Sequence, residues 1–561
     1  MNSSSLWIVL QRMRIPIVVI VVAYTIAMIG LLLIEGVDSN GNPYQMTIFD
    51  TFYFVTYTAT TIGFGESPYP FTYSQKLWVS ATIYLVVLGW FYSIGTLINL
   101  LKDKHLLQEL QKGKFKRKVA SIKQRYIIIL GYNYTTHEII KKSLLANIRV
   151  VIIEKDKYKV EKLLLESFTP YVPVLQGDAY DPKALELAGI KSHLCKAVVT
   201  LFEDDALNLR IALTSKLLNP YITIAAKSTT SNHTENLYDL GVEIVENPFN
   251  IIASQIQMAL TAPNLLKIEN WIHGLGKLDE SLQKLPNGKY IICGYGRMGH
   301  SIYEVLTRNN IDTTFVEIDK SKFLSLSDTE QSHIMMGDGD DKNMLQNAGI
   351  ADAIGIIAGT NDDTVNLSIL ATAKKLNPEI ITMARENEID DFSIFNQAKI
   401  DYVFMPSKIL IYKTTNALIN PLADKFVQLV EQQNEKWACA LVKDLIQTIN
   451  SNPKLYELFI NEKTTPQISD VLEDTKLELS ILKTSLRNQK QSNNMLLLLL
   501  IRDNGEQILL PSWNEVIEKN DKILLAGDEN AYDDMEYICQ NMYEFHYALT
   551  GQEKLKFRRR I

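Results

Sequence analysis

Two uncharged apolar runs constrain this chain before anything else does. Residues Ile15 to Ile34 (IPIVVIVVAYTIAMIGLLLI) and Leu77 to Leu101 (LWVSATIYLVVLGWFYSIGTLINLL) contain no Asp, Glu, Lys or Arg. About 20 such residues are what a helix needs to cross ~30 Å of hydrocarbon. The first run is long for a secretory signal, and Glu35-Gly36-Val37-Asp38 follows it where a cleavage site would need small residues. No later run compares, since Met495 to Ile501 (MLLLLLI) is too short to span. Arg12 and Arg14 precede the first run, and a Lys- and Arg-rich stretch, Lys102 to Lys118, follows the second. The connection between the runs carries Glu35, Asp38, Asp50 and Glu66 instead. The positive-inside rule then predicts both termini and the body beyond Lys102 in the cytoplasm, and the compact layout without a targeting signal points to a multi-pass protein of the cell (inner) membrane.

Between the spans, Thr47 to Ala59 (TIFDTFYFVTYTA) is apolar, aromatic and too short to cross, so it reads as a half-membrane helix. Thr61-Ile62-Gly63-Phe64-Gly65 follows almost directly. Non-helical backbone at membrane depth is tolerated where protein buries it or where it lines a water-filled path. Alternating glycines reach dihedrals closed to other residues, so successive carbonyls can point one way. This loop resembles the potassium-channel selectivity filter, a ring of four T-V-G-Y-G-like loops whose carbonyls replace the ion's water shell. The resemblance implies K+ in the pore and a homotetramer, because one loop supplies a quarter of the ring. Two spans without an Arg-rich helix leave no voltage sensor. Ile62 stands for Val, Glu66 for the more usual Asp, and Phe64 for Tyr, which removes a hydroxyl able to pin the filter from behind. Gly89 falls where the resembling two-span channels place a gating glycine; Gly95 is a second bend point, or either glycine serves close helix packing. Leu97, near the cytosolic end, is a candidate for a closing ring.

Beyond a basic linker, 102–124, the sequence repeats itself, and repetition of this kind dictates a fold. RYIIILGYNYTTHEII (from Arg125) parallels KYIICGYGRMGHSIYEVL (from Lys289). Glu154 and Glu317 each lie 23 residues after their glycine, Gly131 or Gly294. QGDAYDPKALELAGI (Gln176 to Ile190) parallels MGDGDDKNMLQNAGI (Met336 to Ile350), and NLRIALTSKLLNP parallels NLSILATAKKLNP. Short β-branched runs alternating with amphipathic stretches predict parallel sheets covered by helices. In the second repeat Gly294, Gly296 and Gly299 form G-x-G-x-x-G between a strand and a helix, with Glu317 closing the next strand. That context makes it a dinucleotide fingerprint: pyrophosphate at the helix N-terminus, Glu317 on ribose hydroxyls, Arg297 for a phosphate or for solvent. The first repeat keeps Gly131 and Glu154 but has Asn133 and Thr136 at the later glycine positions, where Asn133, Thr135 and Thr136 offer polar contacts instead.

These repeats resemble the RCK (KTN) domains that regulate potassium channels and transporters. The resemblance is carried by Gly177-Asp178 and Gly337-Asp338, by Asp204-Asp205…Asn208 and Asp362-Asp363…Asn366, and by NDKILLAGD in the tail. It covers nearly everything beyond the linker. It implies a first RCK domain over 125–286 with crossing helices, a second Rossmann lobe and crossing helix over 287–434, and a β-rich C-terminal subdomain over 435–561. Pro248 to His273 and Pro406 to Val430 are then the helices that join lobes. It further implies an eight-lobed gating ring, NAD or ADP/ATP as ligand with Asp178 and Asp338 beside it, and no need for a separate soluble RCK subunit.

Glu203-Asp204 and Asp340-Asp341 are carboxylate clusters that fit either a hard cation such as Ca2+ or helix capping. Cys195, Cys293, Cys439 and Cys539 make no C-x-x-C pair, so no disulfide framework or zinc site is expected. A net charge of −7 gives no case for a nucleic-acid partner. A membrane-tethered NAD-dependent enzyme would need an acid–base constellation, and none is visible. A potassium-uptake transporter subunit usually carries four filter segments in one chain. The expectation is therefore a non-enzymatic, ligand-gated potassium channel: a membrane α-helical pore domain of two spans plus pore helix, above Rossmann-like tandem RCK domains and a small β-rich subdomain.

Overall fold

The first apolar run lies in one helix, α1 (Ser3–Leu33), and the second in α3 (Tyr73–Leu101). Met13–Leu33 and Tyr73–Leu100 have mean hydropathies of 2.7 and 1.7 and are long enough to cross a bilayer. This computed structural model describes residues 3–280, 284–324, 331–387, 395, 397–488 and 490–553. The expected half-helix is α2 (Ile48–Ala59), started by a capping box in which Thr47 and Asp50 satisfy each other's backbone N–H groups. Asp50 also accepts from the Tyr44 hydroxyl at 2.7 Å, which fastens the short hairpin β1 (Gly36–Val37) and β2 (Pro43–Tyr44) to the helix start. A second capping box, Thr72 with Gln75, starts α3. The α1 and α3 helices lock where Trp78 donates to the Ala27 carbonyl at 3.1 Å. A Cβ on Gly30 would lie 1.9 Å from that indole, so only glycine fits there. The basic linker is itself a helix, α4 (Lys104–Ala120).

A second compact unit begins at Lys123. Its first repeat forms a six-stranded parallel sheet of β3 (Tyr126–Leu130), β4 (Arg149–Glu154), β5 (Val174–Gln176), β6 (Cys195–Thr200), β7 (Thr223–Lys227) and β8 (Ile244–Glu246), in the order β5-β4-β3-β6-β7-β8. Helices α5 (Tyr134–Leu145), α6 (Lys157–Leu165), α7 (Pro182–Leu187), α8 (Asp205–Leu218) and α9 (Ser231–Asp239) connect them. Every residue of β3 is buried, as expected of a strand covered on both faces. The crossing segment is α10 (Pro248–Thr261) and α11 (Pro263–Ile272).

The second repeat has the same order: β11-β10-β9-β12-β13-β14, with β9 (Tyr290–Cys293), β10 (Thr313–Glu317), β11 (Ile334–Met336), β12 (Gly355–Ala358), β13 (Ile381–Arg385) and β14 (Tyr402–Phe404). Its fingerprint opens α12 (Arg297–Arg308). The order places the first βα turn beside the point where the sheet reverses direction, the usual nucleotide crevice.

The two repeats exchange their crossing helices. Phe249, Ile252 and Ile256 of α10 share a core with Met298, Ile302 and Val305 of α12. The amides of Gln257 and Asn309 hydrogen-bond across that contact at 2.6 and 3.3 Å. Reciprocally, the helix Pro406–Ile419 sends Leu410, Ile411 and Leu418 into the first repeat's core against Ile139 and Ile140 of α5. Lys413 of that helix reaches Glu269 of α11 at 2.8 Å, both side chains being almost fully enclosed. The tail forms an antiparallel sheet, β15 (Lys454–Phe459), β18 (Lys522–Gly527), β16 (Met495–Ile501) and β17 (Gln507–Leu509), in that spatial order. The MLLLLLI run is β16, a buried strand as expected. Residues 554–561 of the expected subdomain lie outside the described residues.

Candidate pore and nucleotide sites

Thr61, Gly63 and Gly65 have φ of 60°, 66° and 97°, and Ile62 and Phe64 between them keep negative φ. Such alternation of left- and right-handed residues aims successive carbonyls to one side, which is what an ion-coordinating loop requires. A Cβ on Gly63 or Gly65 would meet nothing within 4 Å. The amides of Ile62 and Gly63 close onto the Tyr57 carbonyl at 2.9 and 3.4 Å, so the loop hangs from the end of α2. The hydroxyl missing at Phe64 is replaced from the pore helix: buried Tyr57 donates to the Gly65 carbonyl at 2.6 Å, with the Phe64 ring edge-on to it. Glu66 accepts from the Phe71 amide at 2.8 Å and lies 3.4 Å from Lys76, which ties the loop's exit to α3. Sequence reasoning missed Tyr57; its place eight residues before Gly65 was the available signal.

In α3, Gly89 sits at packing distance from α1, where a Cβ would be 3.6 Å from Ala23 and Val19. Around Gly95 the space is open. Leu97 is half exposed beside Ile98 in the single chain.

The second repeat holds a cavity of about 390 Å³ lined by Gly294, Gly296, Glu317, Asp338, Gly359 and Asn361, among others. That volume lies in the range of small-molecule sites. A Cβ on Gly299 would fall 2.3 Å from the Gly294 carbonyl, so this glycine lets α12 close onto β9. Gly296 is the N-cap of α12, has no side chain to satisfy the first amides, and faces open space. Those amides are left for an anion. Glu317 is buried, and its two oxygens accept from the Tyr295 and Asp319 amides at 2.7 and 2.8 Å. It therefore shapes the glycine loop as well as lining the cavity. Asp338 accepts from the Asp340 amide at 3.0 Å. Lys322, which sequence reasoning missed, lines the same cavity, its amine 3.9 Å from Glu317. Arg297 is not among the lining residues; its guanidinium lies over the Phe249 ring of α10, 4.8 Å from its centre.

The first repeat keeps the frame and fills the opening. Glu154 makes the same pair of bonds, to the Tyr132 and Asp156 amides at 2.6 and 2.7 Å. Asn133 caps α5, however: its side chain accepts from the Thr136 amide while the Thr136 hydroxyl accepts from the Asn133 amide, both at 2.9 Å. Asn133 and Thr136 thus engage two N–H groups at the helix start, those of Thr136 and Asn133, and Thr135 is buried. The Phe202 ring sits on Gly131, 2.6 Å from where a Cβ would be. Asp178 is paired with Lys155 at 3.0 Å.

The Asp-Asp…Asn motif has a structural reason. Asn208 and Asn366 each accept from the loop after β6 or β12 and donate to the end of β7 or β13. Asp205 and Asp363 each accept from an amide just past β7 or β13. Of the two readings left open for the carboxylate clusters, the side chains' observed partners are those of caps and pairs. Glu203 is paired with Lys227, Asp204 caps α8, Asp341 caps the helix Lys342–Asn347, and Asp340 accepts from the Ser368 hydroxyl. Among the described residues no group of three or more His, Cys, Asp or Glu side chains converges on a metal position. Helix caps take Asp204 and Asp341, an ion pair takes Glu203 and a hydroxyl takes Asp340.

A short helix and filter-like loop lie between two apolar helices, joined to two Rossmann lobes with one open glycine cradle, the parts list of a regulated channel. Family comparison agrees: the Ion channel domain matches residues 9–103, and the TrkA-N domain matches 127–248 and 290–406. The chain thus carries an ion-channel domain followed by two TrkA-N domains. It is 26% identical over 273 residues to Potassium channel protein 1 of Methanocaldococcus jannaschii, covering 49% of this chain and 77% of that one. It is 30% identical over 247 residues to an uncharacterized Methanothermus fervidus protein, covering 44% of this chain and 38% of that protein's length. The solved GsuK channel shares its fold, with TM-score 0.50 and 14% identity over 98% of this chain and 100% of that one. A GsuK channel bound to NAD aligns with TM-score 0.48 and 14% identity over 95% of this chain and 99% of that one.

Proposed function

We propose that four copies of this chain assemble in the cell (inner) membrane, with both termini cytoplasmic, as a K+-selective channel. Thr61 to Gly65 form the filter, Gly89 and Gly95 are the flexible points of the inner helix, and Leu97 lines the closing ring. The gate is controlled by an adenine nucleotide, NAD or ADP/ATP, bound in the second repeat. The tandem repeats of four chains supply an eight-lobed ring.

The observation that carries this reading is the alternating backbone of Thr61–Gly65 at the end of α2, held between two membrane-length helices. The nucleotide half rests on the uncapped α12 start, the open Gly296 and the cavity beside Glu317 and Asp338. A bound phosphate fits amides that no side chain serves. It moves the gate only by the difference in its affinity for open and closed ring shapes.

The test is single-channel recording of purified protein in planar bilayers under a K+/Na+ gradient, adding NAD, ADP and Ca2+ separately to the cytosolic side. A reversal near the K+ equilibrium potential, with open probability changed by a nucleotide, is the expected result. Selective current indifferent to nucleotides removes the ligand assignment. Absence of selective current from a confirmed tetramer removes the channel reading and returns the uptake-transporter subunit or the tethered enzyme.

A further inference from the structure

The repeats share one strand order and one internal frame, so they can be compared position by position. Three places around the crevice differ, and each difference closes the first repeat. At the phosphate end, Asn133 and Thr136 cap α5 internally, where Gly296 leaves α12 uncapped. Over the first glycine, Phe202 occupies the position that Thr360 holds in the second repeat. Its ring lies against Gly131, whereas the nearest neighbour of Gly294 is the Gly359 backbone, at 3.2 Å from a Cβ position. At the mouth, Lys155 bridges to Asp178 at 3.0 Å; the corresponding pair, Ile318 and Asp338, lines the open cavity. The backbone frame is unchanged by this: Phe202 and Thr360 both donate their amide to the matching asparagine, at 3.1 and 2.9 Å.

We propose that only the second repeat takes nucleotide, the first being occupied by its own side chains, with Phe202 standing where a ligand would approach Gly131. The proposal rests on the nucleotide reading above and fixes its stoichiometry at one per chain, four per tetramer. The first repeat then responds to ligand only through the exchanged helices. A planar aromatic ring over a glycine turn excludes a pyrophosphate by volume, and the capping box already engages the Thr136 and Asn133 amides that a phosphate would compete for.

The experiment is equilibrium dialysis of the detergent-solubilised full-length tetramer against labelled ADP and, separately, NAD, at saturation. One nucleotide per chain is expected. Two per chain overturns the assignment while leaving the nucleotide reading intact; none overturns both. Gly296→Val separates the repeats, because Gly296 has φ −86° and tolerates a side chain in the fold. It is expected to abolish binding entirely, and one residual nucleotide per chain would refute the proposal. The converse variant combines Asn133→Gly, Thr136→Gly and Phe202→Thr. Eluting as a tetramer, it is expected to bind two per chain; a folded variant that still binds one removes the role given to these three side chains.

Discussion

Replacing Tyr57 with Phe deletes a single oxygen and tests how the filter is held. That oxygen donates to the Gly65 carbonyl at 2.6 Å from a buried side chain. A neutral hydrogen bond of this kind contributes about 1 kcal/mol net, or roughly a fivefold shift in an equilibrium. In the proposed tetramer four such bonds act on one ring, so together they bias the conducting filter by about 4 kcal/mol if independent. The edge-on contact of Phe64 with the ring of residue 57 survives the change, which confines the loss to the hydroxyl. The assay is single-channel burst length at high and low K+ with the cytosolic ligand held constant. Tyr57→Phe is expected to shorten bursts at least fivefold at low K+, with partial recovery at high K+, where ions in the filter support it. Unchanged bursts and selectivity at both concentrations would refute the idea that the pore helix supplies the pin that Phe64 lacks.

Further outcomes follow from the second compact unit. Glu317→Gln and Glu154→Gln each point a side-chain N–H₂ at a backbone donor and are expected to cost about 1–3 kcal/mol in denaturant unfolding; only Glu317→Gln should also weaken nucleotide binding, read by dialysis. Lys413→Met leaves Glu269 buried without its cation and is expected to destabilise by about 3–5 kcal/mol, measured by thermal or urea unfolding. Burial pushes the Glu246 carboxyl up to about 7 despite the nearby Lys413, with Asp424, Glu269 and Glu431 adding to the rise. The folded chain therefore keeps a proton that the unfolded chain releases near its ordinary value of 4.5, and stability falls as pH rises toward and through 7. From pH 6.5 to 8 this group's loss is roughly 1 kcal/mol, and Glu246→Gln is expected to remove it; His273, pushed down to about 4 by burial, contributes the opposite slope only at lower pH.

The spans, the half-helix, the repeat and the fingerprint were legible because each is written in local pattern: uncharged length, glycine spacing, periodicity. The parallel sheets followed from alternating strand and helix signals. What stayed hidden was set by partners distant in sequence. Nothing in LFEDD announces that Phe202 will lie on Gly131, 71 residues earlier. The carboxylates of Glu203, Asp204, Asp340 and Asp341 fit either a cation or a cap in sequence, because spacing cannot tell a ligand from a cap. Arg297 stands in the fingerprint itself, yet its guanidinium rests on Phe249 of the other repeat, because the crossing helices are exchanged. Helix α4 was read as a linker since its charge masks any apolar face.

That exchange determines what the nucleotide cavity can act on. Helix α12 begins at the cavity and rests along its length on α10, which belongs to the first repeat. Arg297 and Arg385 both lie over Phe249, at 4.8 and 5.6 Å, so two cations of the second repeat converge on one ring at the start of α10. Arg385 also donates to Asn361 in the cavity wall at 3.0 Å. A phosphate drawn to the start of α12 competes for these guanidinium groups, since an anion attracts them more strongly than an aromatic face does. Any shift of α12 must be taken up by α10, because close-packed side chains re-seat as a unit. The reciprocal helix, Pro406–Ile419, carries the same constraint back to α5 through Leu410, Ile411 and Leu418. Under the proposed stoichiometry, one occupied site per chain would be mechanically connected to both repeats through the exchanged helices.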